Sequence, residues 1–183
     1  VNKFKSGPFP PFNLGDMQSE AYSAFGFSPS KTLDIAQSLY DEGYISYPRT
    51  SSQKLPPRIG YKNILKKLKN QNKYEDFASK ILDKGKLSPR QGKKKDPAHP
   101  AIYPTGTNPE KLSDDEKKLY DLVVRRFISC FGDPAIRKSL KLTLNVSKEE
   151  FKTSGKWTIK KNWMKFYKPY LRYKENKIPE YEK

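Results

Sequence analysis

Tyr47 and Arg49 stand two positions apart in Tyr44-Ile45-Ser46-Tyr47-Pro48-Arg49-Thr50. Pro48 fixes its own φ and pushes Tyr47 out of the α region; with Arg49 also extended, both side chains leave the backbone on the same side. A phenol has a reference pKa of about 10, so a nucleophilic tyrosine needs positive charge or a base beside it. An arginine two positions on supplies that charge and can grip a phosphate oxygen at the same time. The competing reading is a packed or hydrogen-bonded aromatic, since the chain holds 12 tyrosines, and on composition Tyr44 is a rival nucleophile. His99, the single histidine, follows the basic run Arg90, Lys93, Lys94 and Lys95. Both a phosphate contact and a polar core role are open to it.

The surroundings favour a polyanion. The chain carries 37 Lys plus Arg against 20 Asp plus Glu, a formal charge of +17. An imbalance of that size speeds encounter with nucleic acid and stabilises the complex, and a merely soluble surface does not require it. Thr50, Arg58, Lys62, Lys66, Arg90, Lys93, Lys94 and Lys95 are the candidate backbone contacts, and a nucleic acid is the expected partner. Cys130 is the single cysteine, so neither a disulfide framework nor a Cys/His zinc site can be assembled. No apolar run approaches the ~20 residues that cross a bilayer, and residues 1–15 lack the apolar core of a signal peptide. The expected setting is intracellular and without a membrane partner. A first residue other than Met and a charged last segment suggest excision from something longer.

The elements that must position these groups can be read from period and punctuation. Gly7-Pro8-Phe9-Pro10-Pro11-Phe12 is held extended by its prolines. A helix follows, capped by Asn13, with Leu14, Met17, Ala21 and Ala24 or Phe25 at helical spacing and Gly26 as a left-handed exit. Ser28 caps a second helix with Pro29 in its first turn, an apolar face of Leu33, Ala36, Leu39 and Tyr40, and Gly43 as its stop. The pair has a helix-turn-helix outline, common also in helical cores that touch no DNA. Ile59, Ile64, Leu65 and Leu68 mark a basic amphipathic helix, and Tyr74, Phe77, Ala78 and Ile81 another stripe. From Lys84 to Pro109 periodicity disappears, which in a compact unit predicts a functional or disordered loop.

Ser113 and Glu116 form a capping box for a helix running to about Phe131. Leu140, Leu142, Leu144 and Val146 then alternate with Lys141, Thr143 and Asn145, predicting a strand with one face in a core. Phe151, Trp157 to Ile159 and the aromatic run Trp163 to Tyr173 predict further strands or a packed β edge. The reading is an α+β protein, with a mainly helical domain over 14–131 inserted between β-rich segments 1–13 and 132–183.

The stretch 32–52, ending Gly43-Tyr44-Ile45-Ser46-Tyr47-Pro48-Arg49-Thr50-Ser51-Ser52, resembles the active-site stretch of type IA DNA topoisomerases. Pro10-Pro11-Phe12-Asn13-Leu14 with Gln18 and Ala21 is similar to the segment preceding it in that family. His99-Pro100-Ala101-Ile102-Tyr103-Pro104-Thr105-Gly106 resembles the family's His-Glu-Ala-Ile-Arg-Pro-Thr motif. The three occur in family order, and Ser154-Gly155-Lys156 with Asn162-Trp163-Met164-Lys165 resemble its returning strands. The resemblance implies a β-rich arch carrying an inserted helical domain, and a transient 5′-phosphotyrosine on Tyr47 during ATP-independent relaxation of negatively supercoiled DNA. Arg49 would stabilise the phosphoryl charge and His99 contact the phosphate. Ser51 replaces an Asp common in the family, and Pro100 and Tyr103 replace Glu and Arg, variants that resemble the archaeal-type branch, alone or fused to a helicase as in reverse gyrase.

The family's acidic, Mg²⁺-binding Toprim domain has no counterpart here. The resemblance therefore implies no metal on this chain, dependence on the remaining Toprim and clamp domains, and near-inactivity alone. Two other readings compete: a non-catalytic single-stranded DNA-binding or scaffold module, and a ribosomal or RNA-binding domain.

Overall fold

A computed structural model describes residues 2–179. The strand β1 (Asn2–Ser6) is followed by the helices α1 (Leu14–Phe25), α2 (Pro29–Asp41), α3 (Tyr61–Lys69), α4 (Glu75–Leu82) and α5 (Asp114–Ser129), then by the strands β2 (Ala135–Val146) and β3 (Glu149–Lys160). The protein is thus α+β, with helices and a small antiparallel sheet of order β1-β2-β3.

Local signals set the helix ends. The Asn13 side chain accepts from the Asp16 amide at 2.7 Å, and Gly26 leaves α1 at φ +72°. Ser28 accepts from the Lys31 amide to open α2, while Ser113 and Glu116 exchange both bonds of the capping box on α5. Between α4 and α5 there is no regular element, as the loss of periodicity predicts.

Helix α5 is buried along most of its length, and Leu119, Leu122, Val123 and Phe127 belong to one apolar core shared with α1 to α4. Two polar groups on α5 tie the chain ends to that core. Arg126 donates from Nε to the Pro10 carbonyl at 2.8 Å and from Nη1 to the Tyr167 hydroxyl at 3.1 Å, its guanidinium lying over Phe9, Phe12 and Tyr167. Asp121 accepts from the hydroxyls of Tyr74 and Tyr170 at 2.9 and 2.5 Å and pairs with Arg125 at 2.9 Å. Burial alone would raise the Asp121 carboxyl; the Tyr170 hydroxyl and the charges of Arg125 and Lys73 outweigh it and hold the group below the usual range.

Two expectations fail here. The aromatic run 163–173 forms no strand but two short 3₁₀ turns, Asn162–Lys165 and Lys168–Tyr170. Asn162 is left-handed at φ +47°, Pro169 stands inside the second turn, and the turns let Trp163, Phe166, Tyr167 and Tyr170 all point into the core, which a strand's alternation forbids. The apolar face of β2 is also covered only at its base. Leu140 is 7% exposed, but Leu144 and Val146 are 56% and 59% exposed, with Phe151 opposite Leu144 at 57%. The hairpin projects beyond the helical core, so alternation alone does not bury it.

Candidate active site and nucleic-acid interface

Tyr47 is positioned by the way α2 ends. Gly43 takes φ +77°, and the Tyr44 amide bonds back to the Leu39 carbonyl at 2.8 Å, so the chain turns off the helix and runs extended. The expected extended element exists, held by a single bridge rather than a full strand: Ile45 pairs antiparallel with Pro104. The Ser46 amide donates to the Tyr103 carbonyl at 2.9 Å, the Tyr103 amide to Ser46 Oγ at 2.9 Å, and the Thr105 amide to the Tyr44 carbonyl at 3.0 Å. The segment 101–105 is thereby zipped alongside 44–46.

The first segment closes the assembly. Phe12 bridges Ile102, whose amide donates to the Phe12 carbonyl at 2.8 Å, and the Leu14 amide donates to the Thr50 carbonyl at 3.0 Å. Three stretches far apart in sequence therefore meet at one place. The Tyr47 and His99 rings lie 4.6 Å apart, centroid to centroid, tilted by 45°. The Tyr47 ring also meets the Tyr40 ring edge-on at 5.3 Å. Tyr44 instead turns toward the core and packs edge-on to Tyr120 at 6.4 Å.

Arg49 is exposed and lines a groove of about 430 Å³ with Asn13, Gly15, Gln18, Ser51 and Lys94. Thr50 borders that groove but is only 4% exposed. Its hydroxyl donates to the His99 carbonyl at 3.4 Å and accepts from the Ser52 amide at 3.0 Å. A second groove of about 290 Å³ is lined by Lys54, Arg58, Lys95, Asp96 and His99. Tyr103 is half-buried, and burial raises its hydroxyl against the opposing charge of Arg58. Lys93 is exposed on the same loop. Lys62 and Lys66 on the outer face of α3 line neither groove, nor does Arg90, whose amide is anchored to the Cys130 carbonyl at 2.7 Å.

The aperiodic loop is tied down by its partners. The Gln53 amide donates to the Lys94 carbonyl at 3.0 Å, and Gly92 passes so close that an added Cβ would lie 2.4 Å from Gln53 Cβ. Asp96, which residue spacing does not single out, accepts from the Ala98 and His99 amides at 2.9 and 3.1 Å and from the Ser51 hydroxyl at 3.2 Å. Those donors, the Ala98 amide foremost, hold its carboxyl below the usual carboxylate range. An aspartate two to three residues before the amides it caps is the signal that could have found it. Among the described residues no group of His, Cys, Asp or Glu is arranged to hold a metal ion, and none of the helices there is long and apolar enough to cross a membrane.

The chain matches the family described as DNA topoisomerase over residues 1–183. It is 50% identical over 183 residues to DNA topoisomerase 1 of Pyrococcus horikoshii, covering 99% of this chain and 27% of that protein. It is 54% identical over 170 residues to DNA topoisomerase 1 of Methanothermobacter thermautotrophicus, covering 93% of the chain and 23% of the relative. The chain thus spans about a quarter of the length of these relatives. The structure of full-length topoisomerase I from Thermotoga maritima superposes with a TM-score of 0.72 at 26% identity, over 99% of this chain and 30% of that one. With the family match running its whole length and archaeal enzymes sharing half its residues, this chain belongs to the type IA DNA topoisomerases.

Proposed function

We propose that this chain supplies the nucleophilic half of a type IA topoisomerase site, with Tyr47 attacking a single-stranded DNA phosphodiester. The observation that carries the reading is the contact of the Tyr47 and His99 rings at 4.6 Å, next to an exposed Arg49 in a lysine-bearing groove. Tyr47 Oη attacks phosphorus, the bond to O3′ breaks, and a 5′-phosphotyrosine and a free 3′-hydroxyl result. The phenol proton must be removed and the leaving O3′ protonated. Arg49 offsets charge on the non-bridging oxygens, and His99 holds the same phosphate. Arg58, Lys93, Lys94 and Lys95 hold the strand on either side, and Lys62, Lys66 and Arg90 extend the basic track. Thr50 acts from beneath, by fixing the His99 backbone. Tyr44, turned into the core, is a packing residue.

The covalent link stores the energy of the cleaved bond, so resealing by the 3′-hydroxyl needs no ATP, and relaxation of negative supercoils follows. The Mg²⁺ of the family does not fit the described residues, which offer no suitable donor set, and no step on this chain is routed through it. The reading places the metal and the acid for O3′ on the Toprim portion of a longer polypeptide, with residues 14–131 as a helical domain set into an arch of 1–13 and 132–183. It places the parent in the cytoplasm on chromosomal DNA.

The test mixes this chain with a Toprim-bearing portion, Mg²⁺ and end-labelled single-stranded DNA, then denatures the mixture. Label is expected to stay on the unmodified chain and on the Tyr44→Phe protein, and to be absent from Tyr47→Phe, with DNA binding retained in all three. An adduct on Tyr47→Phe would overturn the nucleophile assignment. Binding without any adduct from the unmodified chain would favour the non-catalytic module.

A further inference from the structure

We propose that Asp96 is the positioning residue of this site, its carboxylate clasping the backbone that follows Arg49 to the turn that carries His99 and so holding the imidazole against Tyr47. The inference rests on the reading of Tyr47 as nucleophile. The two carboxylate oxygens have separate partners. Oδ1 accepts from the Ala98 amide at 2.9 Å and the His99 amide at 3.1 Å. Oδ2 accepts from the Ser51 amide at 3.4 Å and the Ser51 hydroxyl at 3.2 Å. One side chain therefore bridges segments 45 residues apart.

The other backbone group of His99 is fixed by the same stretch, since its carbonyl accepts from Thr50 Oγ1 at 3.4 Å. His99 is gripped at its N–H through Asp96 and at its C=O by Thr50. What remains free is the ring, which meets Tyr47 at 4.6 Å. No other described contact of the His99 side chain competes for that placement. A hydrogen-bonded carboxylate is directional, and a shift of about 1 Å in a reacting group costs up to roughly a hundredfold in rate.

Charge argues that Asp96 is present for geometry. It follows Lys93, Lys94 and Lys95 and shares a groove with Lys95 and Arg58. A carboxylate there weakens the local attraction for a phosphate backbone, so binding alone would favour its removal. Geometry and affinity then pull in opposite directions, and a variant can separate them.

The single histidine makes the test direct, because its imidazole signals need no disentangling. In the unmodified chain, nuclear Overhauser contacts between the His99 and Tyr47 rings are expected; in Asp96→Ala they should be lost while the amide spectra of α3, α4 and α5 stay unchanged. In the reconstituted cleavage assay, Asp96→Ala should form adduct about ten- to a hundredfold more slowly at saturating DNA, with affinity for single-stranded DNA unchanged or tighter. Asp96→Asn keeps one oxygen for Ala98 and His99 but turns an amide toward Ser51, and should fall between. Ser51→Ala removes one donor, should act in the same direction but more weakly, and serves if Asp96→Ala does not fold. Ring contacts that persist in Asp96→Ala, or a rate that does not fall, would overturn the proposal. So would equal loss of rate and affinity in Ser51→Ala. An adduct on Tyr47→Phe would sink the nucleophile reading alone, with the ring contacts still deciding what Asp96 holds.

Discussion

At Arg49 the proposed chemistry asks for more than a positive charge. Its guanidinium presents a planar fork, whereas lysine is a flexible point charge, so the two are not equivalent at a bidentate phosphate. Arg49→Lys should therefore retain single-stranded DNA affinity within about twofold while slowing adduct formation by roughly two orders of magnitude, the scale set by loss of one charge-stabilising donor. Single-turnover cleavage at saturating DNA is the check, and a Lys variant as fast as the parent would reduce Arg49 to a backbone contact. Asp121 gives a prediction of stability. Its folded carboxyl sits below the unfolded value of 3.8, so the stabilisation it provides is fully present above that value and is lost as pH falls through the lower, folded one. Asp121→Asn should flatten the decline of the urea midpoint below about pH 4. Asp121→Ala should cost about 3–5 kcal/mol at neutral pH, because it leaves Arg125, 12% exposed, without its carboxylate partner.

Among the elements, the loop between α4 and α5 decides whether the site exists. It has no regular structure, yet Gly106 crosses α3 at φ +87° so closely that a Cβ would lie 2.7 Å from Lys67 Cβ and 3.0 Å from the Ile64 carbonyl. Gln71 Nε2 donates to the Gly106 carbonyl at 3.1 Å. Gly106→Ala combines left-handed strain with overpacking, and should lower stability by about 1–3 kcal/mol in a denaturant titration. The same loop pairs through Thr105 with Tyr44, so the Tyr47–His99 ring contact should loosen with it. Ser113→Ala, by contrast, removes one cap bond from α5 where that loop enters the helix. It should cost about 1 kcal/mol and leave the rings in place.

For the whole molecule, on the proposed reading, the +17 charge sets how DNA is met rather than what is done to it. Each phosphate contact to a single strand contributes a slope of about −0.7 in log K against log salt. The grooves offer Arg49, Arg58, Lys94 and Lys95, while Lys62, Lys66 and Arg90 line neither. Fluorescence titrations at several salt concentrations should give a steep slope, and replacing Lys94 and Lys95 with Ala should flatten it by about one to one and a half units. A slope unaffected by that change would move the strand off these grooves.

What the sequence determined alone was whatever depends on neighbours in the chain. Asn13, Ser28 and Ser113 cap their helices, and Gly26 and Gly43 end theirs in the left-handed region, because capping and φ preference act within a few residues. The family was legible for a related reason: three short motifs in a fixed order need no coordinates. Tertiary structure decided the rest. Tyr44 and Tyr47 are equal by composition; the motif resemblance points to Tyr47, and the fold adds that one packs on Tyr120 and the other on His99. Alternation along β2 gives its two faces but not where the core stops, so Leu144 and Val146 stand exposed. The aromatic run after β3 has strand-like composition, yet four rings reach one core only through turns. Thr50 reaches the His99 carbonyl across 49 residues, and Asp96, passed over within a basic loop, joins the nearby His99 amide to Ser51 across 45. Pairings over such separations are selected by the free energy of the assembled core, to which no local stretch of sequence has access.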